Sequence, residues 1–106
     1  MKLAIIIPVY NAEETIKRAI LSVDTSVPYE IICINDGSTD QTQHVLTELQ
    51  QKHPHIKVTH QSNQGAARSR NVGLEAMSED VDAFLFLDAD DAVSYTHLRA
   101  HETPEH

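Results

Sequence analysis

Three carboxylates fall within four positions at Asp88-Ala89-Asp90-Asp91, directly after the apolar run Ala83-Phe84-Leu85-Phe86-Leu87. Carboxylates this close repel one another unless a cation lies between them. Hard oxygen ligands call for Mg²⁺ or Mn²⁺, and Mg²⁺ commonly bridges one or two carboxylates to the phosphates of a substrate. The chemistry to look for is therefore a metal–diphosphate site. The plain alternative is a solvated acidic turn, so the elements that position these residues must decide.

A short continuous apolar run reads as a strand buried on both faces, as in a parallel sheet. Ala83–Leu87 is one such run, which places the carboxylates at its C-terminal end. Ligands of open parallel sheets bind at that edge. Leu3–Ile7 and Glu30–Asn35 are two further runs of this kind. Pro8 has no N–H for a sheet ladder, so the first strand is expected to stop there. Asn11 with Glu14, and Ser38 with Gln41, have the spacing of helix-capping pairs. Ile16, Ala19, Ile20 and Val23 give the first helix an apolar face, and Val45, Leu46 and Leu49 do so for the second. His53-Pro54-His55 ends the second helix. Ile56–His60 alternates apolar and polar residues, as an edge strand does. Ser62–Gly65 is a loop. The third helix carries Arg68 and Arg70, with Gly73 inside it, which either weakens the helix reading or marks close packing.

Strand and helix thus alternate three times before a last strand, which implies a parallel sheet with right-handed crossovers. An amphipathic third strand belongs at an edge and the apolar first strand in the middle, giving the order 3-2-1-4. The fold class is α/β, a Rossmann-like open sheet with helices on both faces. Its switch point falls between strands 1 and 4, and Tyr10, Asp36 and Asp88–Asp91 are expected to converge there. Neither G-x-G-x-x-G nor a Walker lysine loop is present, so phosphates must be held through a metal.

At 106 residues the chain is one small domain at most. Its net charge of −8 argues against a nucleic-acid partner. Cys33 is alone and lies in an apolar run, where it reads as a small buried hydrophobe. The N-terminal apolar run breaks at Pro8, too early for a signal-peptide core.

The motifs taken together resemble the N-terminal half of family 2 glycosyltransferases with the A-type fold. The matching pieces are Ile5-Ile6-Ile7-Pro8-Val9-Tyr10-Asn11 and Asn35-Asp36-Gly37-Ser38-Thr39-Asp40. Asn63-Gln64-Gly65, Ala67, Arg70-Asn71 and Gly73-Leu74 follow, and then Leu87-Asp88-Ala89-Asp90-Asp91. Each piece alone is weak; their order and spacing make the signal.

The resemblance implies an inverting transferase that moves a sugar from a nucleotide-diphosphate donor, of UDP type, to an acceptor still to be identified. It implies a divalent metal, Mn²⁺ or Mg²⁺. Carried over by position, Pro8, Val9 and Tyr10 shape the base pocket. Asp36 accepts a hydrogen bond from the base, and Arg70 faces the diphosphate. Asp88 lies near ribose and donor sugar, and Asp90 with Asp91 holds the metal. Residue-level alternatives stay open: Asp36 before Gly37 is also turn chemistry, and Arg70 also fits a solvated helix face.

The resemblance stops after Asp91. Val93–Thr103 back-translates to a string that resembles a transposon-end adapter of sequencing libraries. The expectation is a nucleotide-sugar-binding half over residues 1–92 and a non-native, disordered tail over 93–106, left out of fold reasoning. His97 and His101 are four apart, a metal-ligand spacing, and fall in that tail. In the order 3-2-1-4, Ala83–Leu87 would be an apolar edge, which suggests a truncated A-type fold. The general base, an Asp or Glu, is expected in the missing half, so the fragment would be inactive alone. The implied location is cytoplasmic, with membrane association open. A non-catalytic nucleotide- or metal-binding module is the competing reading. A phosphoacceptor protein using a strand-end Asp is a third, and it leaves Asn63–Leu74 unexplained.

Overall fold

The computed structural model describes residues 1–90. Asp91 and the whole of the 93–106 tail, with His97 and His101, therefore lie outside the described residues. The elements run β1 (Leu3–Val9), α1 (Ile16–Leu21), β2 (Tyr29–Asp36), α2 (Thr42–Lys52), β3 (Ile56–Gln61), α3 (Ala66–Glu75) and β4 (Ala83–Phe86). The four strands form one parallel sheet in the order β3-β2-β1-β4, as the hydrophobic patterning requires. Ile5 sits between Ile31 of β2 and Leu85 of β4, so the three apolar strands are in register.

Side chains alternate across the sheet, and each face has its own core. On one face Leu3, Ile5, Ile7, Val9, Ile31, Cys33, Ile56, Leu85 and Leu87 pack with Ile16, Ile20, Leu46 and Leu49 of α1 and α2. On the other, Ala4, Ile6, Ile32 and Ile34 pack under α3 and the turn after it, against Val72, Leu74, Ala76, Met77 and Val81. Helices thus cover both faces. Gly73 brings α3 close to β1: a Cβ at this position would run into Ile6 Cγ2. Burial raises the Cys33 thiol to about 12, so it stays a neutral apolar packer. Among the described residues no helix is long and apolar enough to cross a membrane.

Four local expectations are corrected. The first strand does not stop at Pro8; β1 continues to Val9, with Pro8 opposite Ile34. In a parallel strand the N–H and C=O of alternate residues face alternate neighbours. Lys2 and Ile6 direct their carbonyls toward β4, so Pro8 faces that side too, beyond the last residue of β4. The missing N–H thus falls past the paired residues of β4, which end at Phe86. Next, Asn11 and Glu14 do not cap α1. That helix begins after Thr15, through a turn in which Thr15 N and Ile16 N both bond Ala12 O. Nor does Ser38 cap α2; Asp40 Oδ1 instead accepts the Thr42 N–H at 2.9 Å.

The fourth correction concerns β4. It was expected to be buried on both faces, but only Leu85 and Leu87 are buried, while Phe84 and Phe86 are 46% and 37% exposed. The reason is coverage: α3 packs chiefly on β1 and β2 and reaches this face of β4 with the Arg70 guanidinium above Phe86. The two rings meet edge to face, 5.6 Å apart. The apolar edge expected from the strand order is therefore present.

At the opposite end of the sheet, Glu30 of β2 accepts the Ser78 N–H at 3.0 Å and its hydroxyl at 2.7 Å. Lys2 and Lys57 stand 3.4 and 3.5 Å from the same carboxylate. Burial alone would raise the Glu30 carboxyl, but the Ser78 bonds and the two ammonium groups together hold it below its ordinary range. This buried acid fastens the α3–β4 turn to β2 and so fixes where β4 starts.

Candidate functional site

A cavity of about 390 Å³ opens at the C-terminal ends of β1 and β4, lined by Pro8, Tyr10, Asn11, Ala12, Thr15, Asp88, Ala89 and Asp90. It lies at the sheet's switch point, where the crossover direction reverses and neighbouring loops part. Each lining residue follows from a local cause. Val9 ends the inward-facing series of β1 and is buried, so Tyr10, the next residue, turns outward and is 53% exposed. Leu87 ends the inward series of β4, bonded through its N–H to Ile6 O at 3.0 Å, and the chain then releases Asp88 and Asp90 at the opposite wall. One wall is thus aromatic and the other acidic.

Both carboxylates are exposed, and among the described residues neither has a hydrogen-bond or ion-pair partner. This pair of unsatisfied hard oxygen donors at a polar cavity fits Mg²⁺ or Mn²⁺, which keep several waters and share ligands with phosphates. Asp88 and Asp90 alone do not make a full set: no group of three metal-ligating side chains is gathered among the described residues. Asp91, the other expected ligand, lies outside them.

The cavity brings Pro8, Tyr10, Asp88 and Asp90 together. The other expected site residues stand elsewhere. Val9 points into the core and shapes the cavity through its backbone alone. Asp36 is 4% exposed and receives three donors. Gln64 N and Gln61 Nε2 reach Oδ1 at 2.7 and 3.0 Å, and Gly65 N reaches Oδ2 at 2.9 Å. Burial pushes its carboxyl up, but these three bonds outweigh that and hold it below the ordinary range. Asp36 therefore anchors the loop that enters α3, and Asn63 Nδ2 adds a bond to its backbone oxygen at 3.1 Å. Gly37, at φ 74°, makes the turn that allows this approach, with Asn63 N where a Cβ would otherwise stand.

Arg70 is exposed on α3 and holds its guanidinium over the Phe86 ring, 5.8 Å from the centroid. It is not among the residues that line the cavity. Asn11, Ala12 and Thr15 line it without having been singled out as site residues. The available signal was Asn11 itself, since asparagine tolerates the left-handed region that a sharp strand-to-helix turn needs.

Comparison with known proteins bears on the family and the fold. The sequence profile described as glycosyl transferase family 2 matches residues 4–101. An uncharacterized glycosyltransferase, YibD of Escherichia coli K12, is 40% identical over 94 residues, which are 87% of this chain and 27% of YibD. The putative glycosyltransferase TagX of Staphylococcus aureus is 37% identical over 91 residues, 82% of this chain and 26% of TagX. The chain thus spans about a quarter of the length of these relatives. Among solved structures, S. aureus TarS 1-349 in complex with UDP has a TM-score of 0.72 and 31% identity, over 85% of this chain and 28% of that one. The mannosyltransferase PcManGT of Pyrobaculum calidifontis, in complex with GDP-Man and Mn²⁺, has a TM-score of 0.62 at 23% identity, over 83% of this chain and 27% of its own. That second likeness speaks for the fold. With the profile covering nearly all of the sequence, the strand order the resemblance requires, and the carboxylates at the strand end where it places them, this chain belongs to glycosyl transferase family 2.

Proposed function

We propose that this chain is the donor-binding part of an inverting glycosyltransferase that takes a nucleoside-diphosphate sugar, of UDP type, with a divalent metal. The observation that carries the reading is the pairing, across one cavity, of Tyr10 with Asp88 and Asp90, which have no partner among the described residues. An exposed ring offers a face to a nucleobase. Acidic oxygens opposite it suit a metal-bridged diphosphate rather than a bare phosphate, which they would repel. The family membership and the UDP complex of TarS support the same class of donor.

In this reading Pro8 and Tyr10 hold the base, with Val9 setting their backbone, and Asp36 serves the base side. Three donors already fix Asp36, and Oδ2, which takes only one of them, keeps a lone pair held in place for a base N–H. Asp88 orients ribose and donor sugar. Asp90, joined by Asp91, holds the metal. When bound, that metal neutralises charge on the leaving diphosphate. Arg70 acts on the diphosphate from the α3 side. The acceptor is deprotonated by a carboxylate base that we place in the part of the relatives' length this chain does not span, so the 106-residue chain binds donor without transferring sugar.

Titration calorimetry with UDP and with GDP, each with and without Mn²⁺, tests the reading. The expected result is binding that favours UDP and needs the metal, with no release of UDP from a UDP-sugar and acceptor mixture. A folded chain that binds neither nucleotide in any combination overturns it.

A further inference from the structure

The loop that carries Tyr10 meets its own helix through Ala12 O and is tied sideways to the β2–α2 segment by a set of bonds centred on Asn11. Asn11 has φ 48°, the only positive φ at a non-glycine among the described residues. Its N–H donates to Ser38 Oγ at 2.9 Å. Its side-chain Oδ1 accepts the Thr39 N–H at 2.7 Å, and its Nδ2 donates to Thr39 Oγ1 at 3.2 Å. The next residue continues the clasp: Ala12 N donates to the buried Thr42 Oγ1 at 2.8 Å. The β1–α1 and β2–α2 loops are thereby stitched side by side, 27 to 30 positions apart in sequence.

We infer that Asn11 is a positioning residue for the nucleotide pocket, setting the Tyr10 wall through its clasp on Ser38 and Thr39. The inference rests on the donor-binding reading above. Its physical basis is preorganisation. Tyr10 is more than half exposed and gains little from packing, so its direction depends on the backbone on either side. Val9 fixes one side in the core, and Asn11 fixes the other. The Asn11 and Thr39 side chains are themselves exposed, and hydrogen bonds in water add little to folding stability. What they remove is loop freedom that a ligand would otherwise have to freeze on binding. The clasp therefore acts on affinity more than on stability.

The separating experiment uses the 106-residue chain and UDP with Mn²⁺. Asn11→Gly keeps the left-handed backbone accessible and deletes the side chain. Asn11→Asp keeps the acceptor for the Thr39 N–H. Thr39→Ala removes a bond from the other loop. The expected results are a loss of affinity of about tenfold for Asn11→Gly and about threefold for Thr39→Ala. Asn11→Asp should stay within about twofold, with near-equal melting midpoints throughout. In a Tyr10→Leu background the Asn11→Gly loss should shrink to under about twofold, because the wall it sets is gone.

Wild-type affinity in Asn11→Gly, or the same loss in both backgrounds, overturns the inference. If the wild-type chain itself binds no UDP, the donor-binding reading fails instead. The clasp is then judged by amide exchange at Thr39 and Ala12, which should quicken in Asn11→Gly and not in Asn11→Asp. Unchanged exchange in Asn11→Gly overturns the clasp as well.

Discussion

Gly65 gives its backbone N–H to Asp36 Oδ2 at 2.9 Å across 29 positions of sequence, and so joins the entrance of α3 to the end of β2. The neighbouring Gln64 N–H and the Gln61 amide take the other carboxylate oxygen. An ionised carboxylate satisfies all three donors at once. Asparagine cannot, because its amide nitrogen must face at least one of them.

The first prediction is therefore that Asp36→Asn costs about 1–3 kcal/mol of stability near neutral pH. The difference should depend on pH with a definite sign. The folded-state pKa of Asp36 is lowered, so its contribution is fully present above the unfolded value of about 3.9 and is lost as pH falls through the depressed folded value. Urea melts of wild type and variant from pH 7 to pH 2 should converge at the acid end. Parallel curves over the whole range would show that the carboxylate charge is not what holds the loop.

Gly73 supplies the second prediction. Its missing Cβ is the space that Ile6 Cγ2 uses, and Ile6 is fully buried in the middle of the sheet. Alanine gains helix propensity but must push α3 off the strand. Gly73→Ala should destabilise by about 1–2 kcal/mol net, overpacking outweighing propensity. In an Ile6→Ala background the clash disappears, so the same substitution should become neutral or favourable. A denaturant double-mutant cycle measures this, and simple additivity would place the close approach elsewhere.

Much of this architecture is legible in the sequence. The amphipathic Ile56–His60 stretch could only be an edge, and the apolar Leu3–Ile7 run only a centre. That asymmetry gave the order β3-β2-β1-β4. What stayed hidden had two physical causes. An unbroken apolar run such as Ala83–Leu87 carries no alternation, so it does not reveal which face is less covered; Phe84 and Phe86 proved to be that face. And Asn, Ser and Thr use the same groups to cap their own helix or to bond a distant loop. Asn11 and Ser38 have the spacing of local caps and are partners of each other instead. Strand-end position was enough to place Tyr10, Asp88 and Asp90 around one cavity. The placement of Arg70 against Phe86 depends on how far α3 reaches, which spacing along one helix does not encode.

The exposed face of β4 yields the third prediction. Phe84 is 46% exposed on β4, an apolar edge strand among the described residues, and such edges invite pairing with another chain. Phe84→Lys places a charge at that edge. It should lower the aggregated fraction in light scattering at high protein concentration. The stability cost should stay near 1 kcal/mol, roughly the value of the ring contact with Phe86. Equal aggregation in both proteins would mean that association uses a different surface.

The last prediction concerns the acidic wall. Asp88 and Asp90 have no partner among the described residues, so removing either charge leaves no buried donor stranded and should leave folding stability within about 0.5 kcal/mol. Their effect should appear only when nucleotide and metal are both present. With Mn²⁺, Asp90→Asn should weaken UDP binding at least about tenfold, and excess EDTA should do the same to wild type. Combining the two should add little, because chelator and variant abolish one bridge. Asp88→Asn should cost less, since its assigned partners are ribose and sugar rather than the ion. Without metal the order should invert: with UDP carrying its own negative charge, deleting a carboxylate from the wall relieves repulsion, and Asp90→Asn should bind slightly better than wild type. Calorimetry of the two variants with and without Mn²⁺ reads all of these differences. A metal-free loss in Asp90→Asn equal to the loss with metal would assign Asp90 to direct nucleotide contact and remove it from the metal set.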